Sequence, residues 1–291
     1  MTLWKILVGT WWRITKDNVS ALAAAVAFYA FFSIFPTLTA VVSLYGLVAD
    51  PRAVAGQATS MVGVLPLEVI TFIVTWLDAL LKGPPVRFGA GLIISLMLAF
   101  WSAWSATAML MTAVNICYGR EDKRSFITFN LRAVAVTVGL AFLGIAALAL
   151  LTILPVVLSF LPVPEGFREI TVLARWSLLA VIVLAVLAIV FHYAPDRPDA
   201  EWRFISWGAA GATGLWILAS IAFTVYVSDV ASYDRTYGSL GAVIILLLWF
   251  YLSAYVTLLG AELNAEIDRQ LRLQNNRELN EPVEGKATPG R

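Results

Sequence analysis

The chain alternates between long uncharged apolar runs and short stretches that hold nearly all of its charge. The first run, Val19 to Ala49, has 31 residues without a charged side chain, and about 20 apolar residues are enough to carry a helix across a bilayer. Five more runs follow, giving predicted spans over about 19–49, 88–118, 133–161, 176–194, 204–228 and 238–261. Runs of this length exclude barrel strands, which alternate apolar and polar residues over about 10 positions. The expectation is an all-α polytopic membrane protein. Its six-helix transmembrane domain covers 1–268, and a polar cytoplasmic tail over 269–291 is disordered at its end.

Two segments outside the spans also have a pattern. Over residues 3–16, Leu3, Trp4, Leu7, Val8, Trp11 and Trp12 share one helical face, away from Lys5, Arg13 and Lys16. That suits a helix lying in the headgroup layer with its tryptophans in the lipid. Between the first two spans, Pro51, Pro66 and Pro84-Pro85 divide residues 50–87 into short helices. In the second of these, Leu67, Ile70, Val74, Leu77 and Leu81 form an apolar stripe, which predicts an extracytoplasmic helical elbow.

An even number of spans leaves both termini on one side. The termini-side segments carry 14 Lys and Arg and the opposite segments 6, so the positive-inside rule places both termini in the cytoplasm.

Composition removes several function classes. With 60% hydrophobic and 13% charged residues and a mean hydropathy of +0.82, the chain is far from a soluble domain, which is about 25% charged. A net charge of +1 and the lack of a Lys/Arg cluster argue against a nucleic-acid partner. One cysteine, Cys117, and one histidine, His192, leave no internal disulfide and no ligand-spaced metal site. No phosphate-binding loop occurs and no cofactor is expected. A hydrolase needs a nucleophile with its base, or a metal with several ligands. Neither set is present, so an enzyme is not expected.

Polar groups within the spans mark where chemistry could sit. Tyr29, Ser33 and Pro36 of the first span fall on a face of small and polar residues. Pro36 reads either as a break lining a binding site or as a packing kink. In the second span Trp101, Ser105 and Asn115 form a stripe that suits cavity lining and interhelical hydrogen bonding equally. Trp249, Ser253 and Asn264 continue such a face on the last helix, where Gly241 and Gly260 join Gly208 and Gly211 of the fifth span as sites of close helix approach. Asp17, Glu262, Glu266 and Arg269 gather at the cytoplasmic rim. Glu262 and Glu266, one turn apart, repel unless a cation intervenes, and Arg269 is placed to serve Glu266. The rim reads either as a site gripping a charged headgroup or as a helix end tied by ion pairs. His192 beside Tyr193 is an interfacial anchor, and Cys117 is inert packing.

Three segments carry a resemblance: Asp17-Asn18 with the following ALAAAVAFYAFFSIFP, NICYGREDKRSF from Asn115 to Phe126, and YGSLGAVIILLLWFYLSAYVTLLGAELNAEID from Tyr237 to Asp268. Together they resemble the YihY/BrkB family of bacterial inner-membrane proteins, over about residues 3–268. The resemblance implies a six-helix bundle with cytoplasmic ends. The family's recurring positions fall on Asp17, Tyr29, Ser33, Pro36, Tyr237, Gly238, Gly241, Gly260, Glu262 and Asn264. Members have been labelled ribonuclease BN, a label these residues do not support, and one branch is associated with resistance to serum killing. The expected function is a transporter or flippase-like protein for an amphipathic, lipid-related envelope substrate. The alternatives are a structural or partner-organising membrane protein and, third, a membrane-associated ribonuclease. Expected partners are membrane lipids, an amphipathic substrate, and a second copy or an envelope protein.

Overall fold

The computed structural model describes residues 3–48, 90–159, 168–196, 206–227 and 240–280, together with Ile70, Thr71, Val74, Thr75 and Asp78. The described residues form seven helices and no strand: α1 (Leu3–Lys16), α2 (Val19–Val48), α3 (Ala90–Cys117), α4 (Phe126–Ser159), α5 (Arg168–Tyr193), α6 (Trp207–Val225) and α7 (Leu240–Asn280). Six of them, α2 to α7, are long and apolar enough to cross a membrane. The protein is a polytopic helical membrane protein. The elbow falls mainly outside the described residues, although Ile70, Thr71, Val74, Thr75 and Asp78 are helical, and the end of the tail lies outside them altogether.

Two helices begin well ahead of their predicted spans. Helix α4 starts at Phe126 and α5 at Arg168, ahead of the apolar onsets at 133 and 176. Hydropathy marks the hydrocarbon portion only, whereas backbone bonding continues as far as the chain can be capped. Ser125 caps α4 by accepting the Thr128 N–H at 3.2 Å. Likewise α7 runs on past Glu262 to Asn280.

The turns at one end of the bundle follow from single residues. Between α1 and α2, Asn18 sits at φ 50°, a left-handed conformation that asparagine tolerates better than most residues. Its carbonyl accepts the N–H groups of Ala21 and Leu22 and so starts α2. Helix α3 ends in a Schellman motif around Gly119 at φ 60°: the Gly119 N–H reaches the Ile116 carbonyl and the Arg120 N–H the Asn115 carbonyl. Glycine is the low-cost residue there.

Helix α7 is central and packs on α1, α2, α3 and α6, while α2 lies along α3. The main core joins small residues to a few large ones: Val19, Ala23 and Val26 of α2, Met111, Ala113 and Val114 of α3, and Ala254, Leu258 and Ala261 of α7. Small residues let helix backbones approach in lipid, where no hydrophobic force draws helices together. A second cluster of Phe223, Val227, Ile245 and Leu246 lies further along α6 and α7. Phe142, Ile145, Met97 and Leu218 point outward and exposed, as a lipid-facing surface requires.

Candidate functional site

Three polar ties hold helix ends on the side of the bundle where α1 turns into α2. The first centres on Arg13. Its Nε donates to Glu262 Oε2 at 2.7 Å, its Nη2 donates to the Cys117 carbonyl, and the same Nη2 stands 3.9 Å from Asp17 Oδ2. One guanidinium therefore joins α1, α3 and α7. One turn along α7, Glu266 is also fully buried. It accepts from Arg269 Nε and Nη2 and from Gln270 Nε2, each at 2.8 Å. Helix α1 can reach these carboxylates because Gly9 lies against Glu266; a Cβ at Gly9 would stand 2.7 Å from Glu266 Cδ. The opposite face of α1 leaves Trp4, Leu7, Val8, Trp11 and Trp12 exposed, the arrangement expected of an interfacial helix.

The second tie joins α6 to α7. The first N–H groups of a helix have no partner in their own helix. Ser206 caps Ala209 at 3.2 Å, and Asn264 reaches across from α7 to accept the Gly208 N–H at 2.7 Å and donate to Ser206 Oγ at 2.8 Å. That reach depends on contact between backbones. A Cβ at Gly208 would collide with the Gly260 carbonyl, and one at Gly260 would stand 2.6 Å from Ala212 Cβ.

The third tie joins the end of α3 to the start of α4 and the end of α5. Asn115 Nδ2 donates to Asp122 Oδ2 at 2.8 Å, and Asn115 Oδ1 accepts the Asp196 N–H at 2.8 Å. Arg124 Nε donates to Asp122 Oδ1 at 2.7 Å, and Arg124 Nη2 donates to the Ala194 carbonyl at 3.1 Å. The hydrogen-bonded Arg124 guanidinium holds the Asp122 carboxyl below the usual carboxylate range, and the Asn115 bond adds to this.

The predicted site residues fall into several groups. Asp17 and Glu262 meet at Arg13, Glu266 and Arg269 pair with each other, and Asn115 and Asn264 each hold a helix end. Ser33 Oγ donates to the Ala30 carbonyl at 2.7 Å and Ser105 Oγ to the Trp101 carbonyl at 2.8 Å, so each hydroxyl is satisfied within its own helix. Ser253 Oγ accepts Trp216 Nε1–H at 3.0 Å, and the Trp249 ring meets Trp216 edge-on at 6.0 Å. Pro36 lies within α2 and is half-buried. Tyr29 and Trp101 are 41% and 61% exposed, on the outer side of the bundle. Gly241 is buried, while a Cβ at Gly211 would make only an ordinary contact, 3.6 Å from Leu263 Cδ2. His192 packs edge-on against Tyr193 at 4.7 Å. Among the described residues no three of His, Cys, Asp or Glu are placed to hold a metal ion.

Sequence reasoning missed Arg13, Asp122, Arg124 and Asp196 as partners in these ties. For Arg13 a signal exists: Ile6, Gly9 and Arg13 fall on one helical face opposite the tryptophans, a small residue followed one turn later by a cation.

The profile of the family described as virulence factor BrkB matches residues 10–284. The chain belongs to the BrkB family. Its curated relatives include the ribonuclease-like protein YfkH of Bacillus subtilis (strain 168), 28% identical over 269 residues, which span 90% of this chain and 94% of that protein. A UPF0761 membrane protein of Vibrio atlanticus (strain LGP32) is 26% identical over 92% of this chain and 83% of its own length. The UPF0761 membrane protein VP0125 of Vibrio parahaemolyticus is 27% identical over 89% of this chain and 80% of its own length. No solved structure matches the chain.

Proposed function

We propose that this BrkB-family chain is an inner-membrane transporter, flippase-like in action, for an amphipathic, lipid-related molecule of the cell envelope, with both termini in the cytoplasm. The observation that carries the reading is the gathering of the three polar ties at one end of the bundle, where the helix ends 13–19, 115–126, 192–196, 206–208 and 260–270 lie. Toward the middle of the spans, polarity is limited to hydroxyls, amides and indoles such as Ser33, Ser105, Trp216 and Ser253. An amphiphile can leave its chains in lipid while its headgroup moves past such groups, and its exit at the tied end waits on those ties parting. The excess of Lys and Arg on the termini side supports the orientation.

The ribonuclease-like name of the Bacillus subtilis relative suggests a different activity. We read this chain as a non-enzyme, because a single histidine and rim carboxylates held by arginines give a hydrolase little to work with.

The test is translocation of fluorescent phospholipid analogues by the purified protein in vesicles, beside native mass spectrometry of the gently extracted protein. Wild type is expected to move at least one envelope lipid and to carry a discrete lipid adduct. Both should be lost in a folded Ser33→Leu/Ser253→Leu variant. No movement across a panel of envelope lipids, with identical adducts on both proteins, overturns the reading in favour of a structural role. The bonds Ser33 and Ser253 make within the bundle would then be the whole of their contribution.

A further inference from the structure

Two carboxylates stand one turn apart on α7 with no exposed surface, and they are treated differently. Both oxygens of Glu266 are satisfied, by three donors on Arg269 and Gln270. Glu262 receives Arg13 Nε on Oε2, while its Oε1 is buried with no hydrogen-bond partner. The donor beside it is the Cys117 thiol, a weak one. A buried acceptor is normally satisfied, and an ionised oxygen left bare is the most costly form of the exception.

The geometry points to Glu262 as a proton-binding site at the rim of the bundle, taking its proton on Oε1. A proton is the ligand that needs no added volume, and this oxygen has neither solvent nor a strong donor around it. The charged and titratable groups facing Glu262 are Arg13 of α1, Asp17 of the α1–α2 turn and Cys117 of α3, with Glu266 one turn further along α7. Arg13 is the cation among them. It has two other acceptors within reach, Asp17 Oδ2 at 3.9 Å and the Cys117 carbonyl. Protonation of Glu262 therefore leaves the guanidinium with partners and loosens its hold on α7. The proton comes from the aqueous phase at the rim and returns there. Carboxyl pairs whose surroundings favour different protonation states mark acid–base assignments in proteins generally. Here the contrast lies between neighbours on one helix. The inference concerns the resting protein and stands whether or not lipid is moved.

The experiment is infrared difference spectroscopy of the full chain in lipid nanodiscs, with no substrate added. The pH is lowered from about 8 to about 5, which stays above the ordinary carboxylate range of about 4. The carbonyl band of a protonated carboxyl is expected to grow in the wild type, to vanish in Glu262→Gln and to persist in Glu266→Gln. No band in the wild type, or a band that survives Glu262→Gln, overturns the proposal. Should Glu262→Gln fail to fold, Arg13→Gln decides. Without its guanidinium a buried ionised carboxylate has lost its one strong partner, so the band is expected already at about pH 8. An Arg13→Gln spectrum identical to wild type overturns the proposal as well.

Discussion

Replacing Gly208 with alanine tests whether the α6–α7 contact is held as closely as the structure places it. The new Cβ would run into the Gly260 carbonyl and lie 2.5 Å from both Cγ and Oδ1 of Asn264. The first obstacle is backbone, and the second is pinned by its bond to Ser206 at 2.8 Å, so neither can rotate aside and the helices must separate. Overpacking of a tight interior costs about 1–3 kcal/mol, and the upper end applies when the opposing atom is a carbonyl of another helix. Separation also strips the Gly208 N–H of its 2.7 Å acceptor, and a buried donor left bare costs about 1–3 kcal/mol. Against this, alanine in place of glycine in a helix regains about 1 kcal/mol. The net is a destabilisation of about 3–5 kcal/mol, or roughly 100-fold and more in the unfolding equilibrium. Gly214, in the same helix, has nothing within 4 Å of where its Cβ would be. Gly214→Ala should therefore be neutral or stabilising by up to about 1 kcal/mol. The protein carries its own reporter, since its single cysteine, Cys117, is buried and a fluorogenic maleimide reacts with it only on unfolding. Thermal and denaturant unfolding of both variants in detergent supply the comparison. Equal stability of Gly208→Ala and wild type, or equal losses for both glycines, would refute the reasoning.

Asn115→Ala should cost about 2 kcal/mol, because it removes one bond to Asp122 and leaves the Asp196 N–H without its acceptor; the same cysteine-labelling assay measures it. Stability should also fall in acid through Asp122. The Arg124 hydrogen bond depresses the folded value of this carboxyl, while the unfolded value is ordinary, about 3.9. Its contribution is therefore complete above that value and disappears as pH drops through the lower, folded one. Unfolding midpoints taken from neutral pH into acid should show this slope in wild type and lack it in Asp122→Asn. Gly9→Leu should lever α1 off α7, since Glu266 is held by Arg269 and Gln270 and cannot yield. Faster amide exchange in residues 3–16 with unchanged exchange in α3 is the expected result.

The spans were legible because apolar length alone decides them. The amphipathic pattern over 3–16 was legible for the same kind of reason, since it places polar and apolar groups on opposite faces of a helix of fixed period. Helix ends were less so. Nothing in hydropathy says that Ser125 will cap α4 or that Asn264 will cap α6 from another helix, because a cap is a hydrogen bond made to whatever lies near in space. The pairing of Glu266 with Arg269 could be read from their spacing of three residues. The pairing of Glu262 with Arg13 could not, because 249 residues separate them and only the packing of α1 across the end of α7 brings them together. The Gly9 contact beside Glu266 belongs with it: a glycine in a short amphipathic helix has no distinctive pattern until the partner it admits is known.

Helix α7 holds two of its neighbours, α1 and α6, by different chemistry within one turn. Asn264 grips α6 through a neutral amide on a free helix N–H, backed by touching backbones at Gly208 and Gly260, where any added atom separates the helices. Glu262 grips α1 through an ion pair to a long, flexible arginine that has Asp17 and the Cys117 carbonyl as other acceptors. The first contact resists change because its tolerance is a fraction of an ångström. The second can be exchanged, since Arg13 finds a partner on either side of the exchange. Movement at this end of the bundle, where it occurs, is therefore expected to carry α6 and α7 as one body and to displace α1 against them. The exposed face of Trp4, Trp11 and Trp12 would then travel with the moving part.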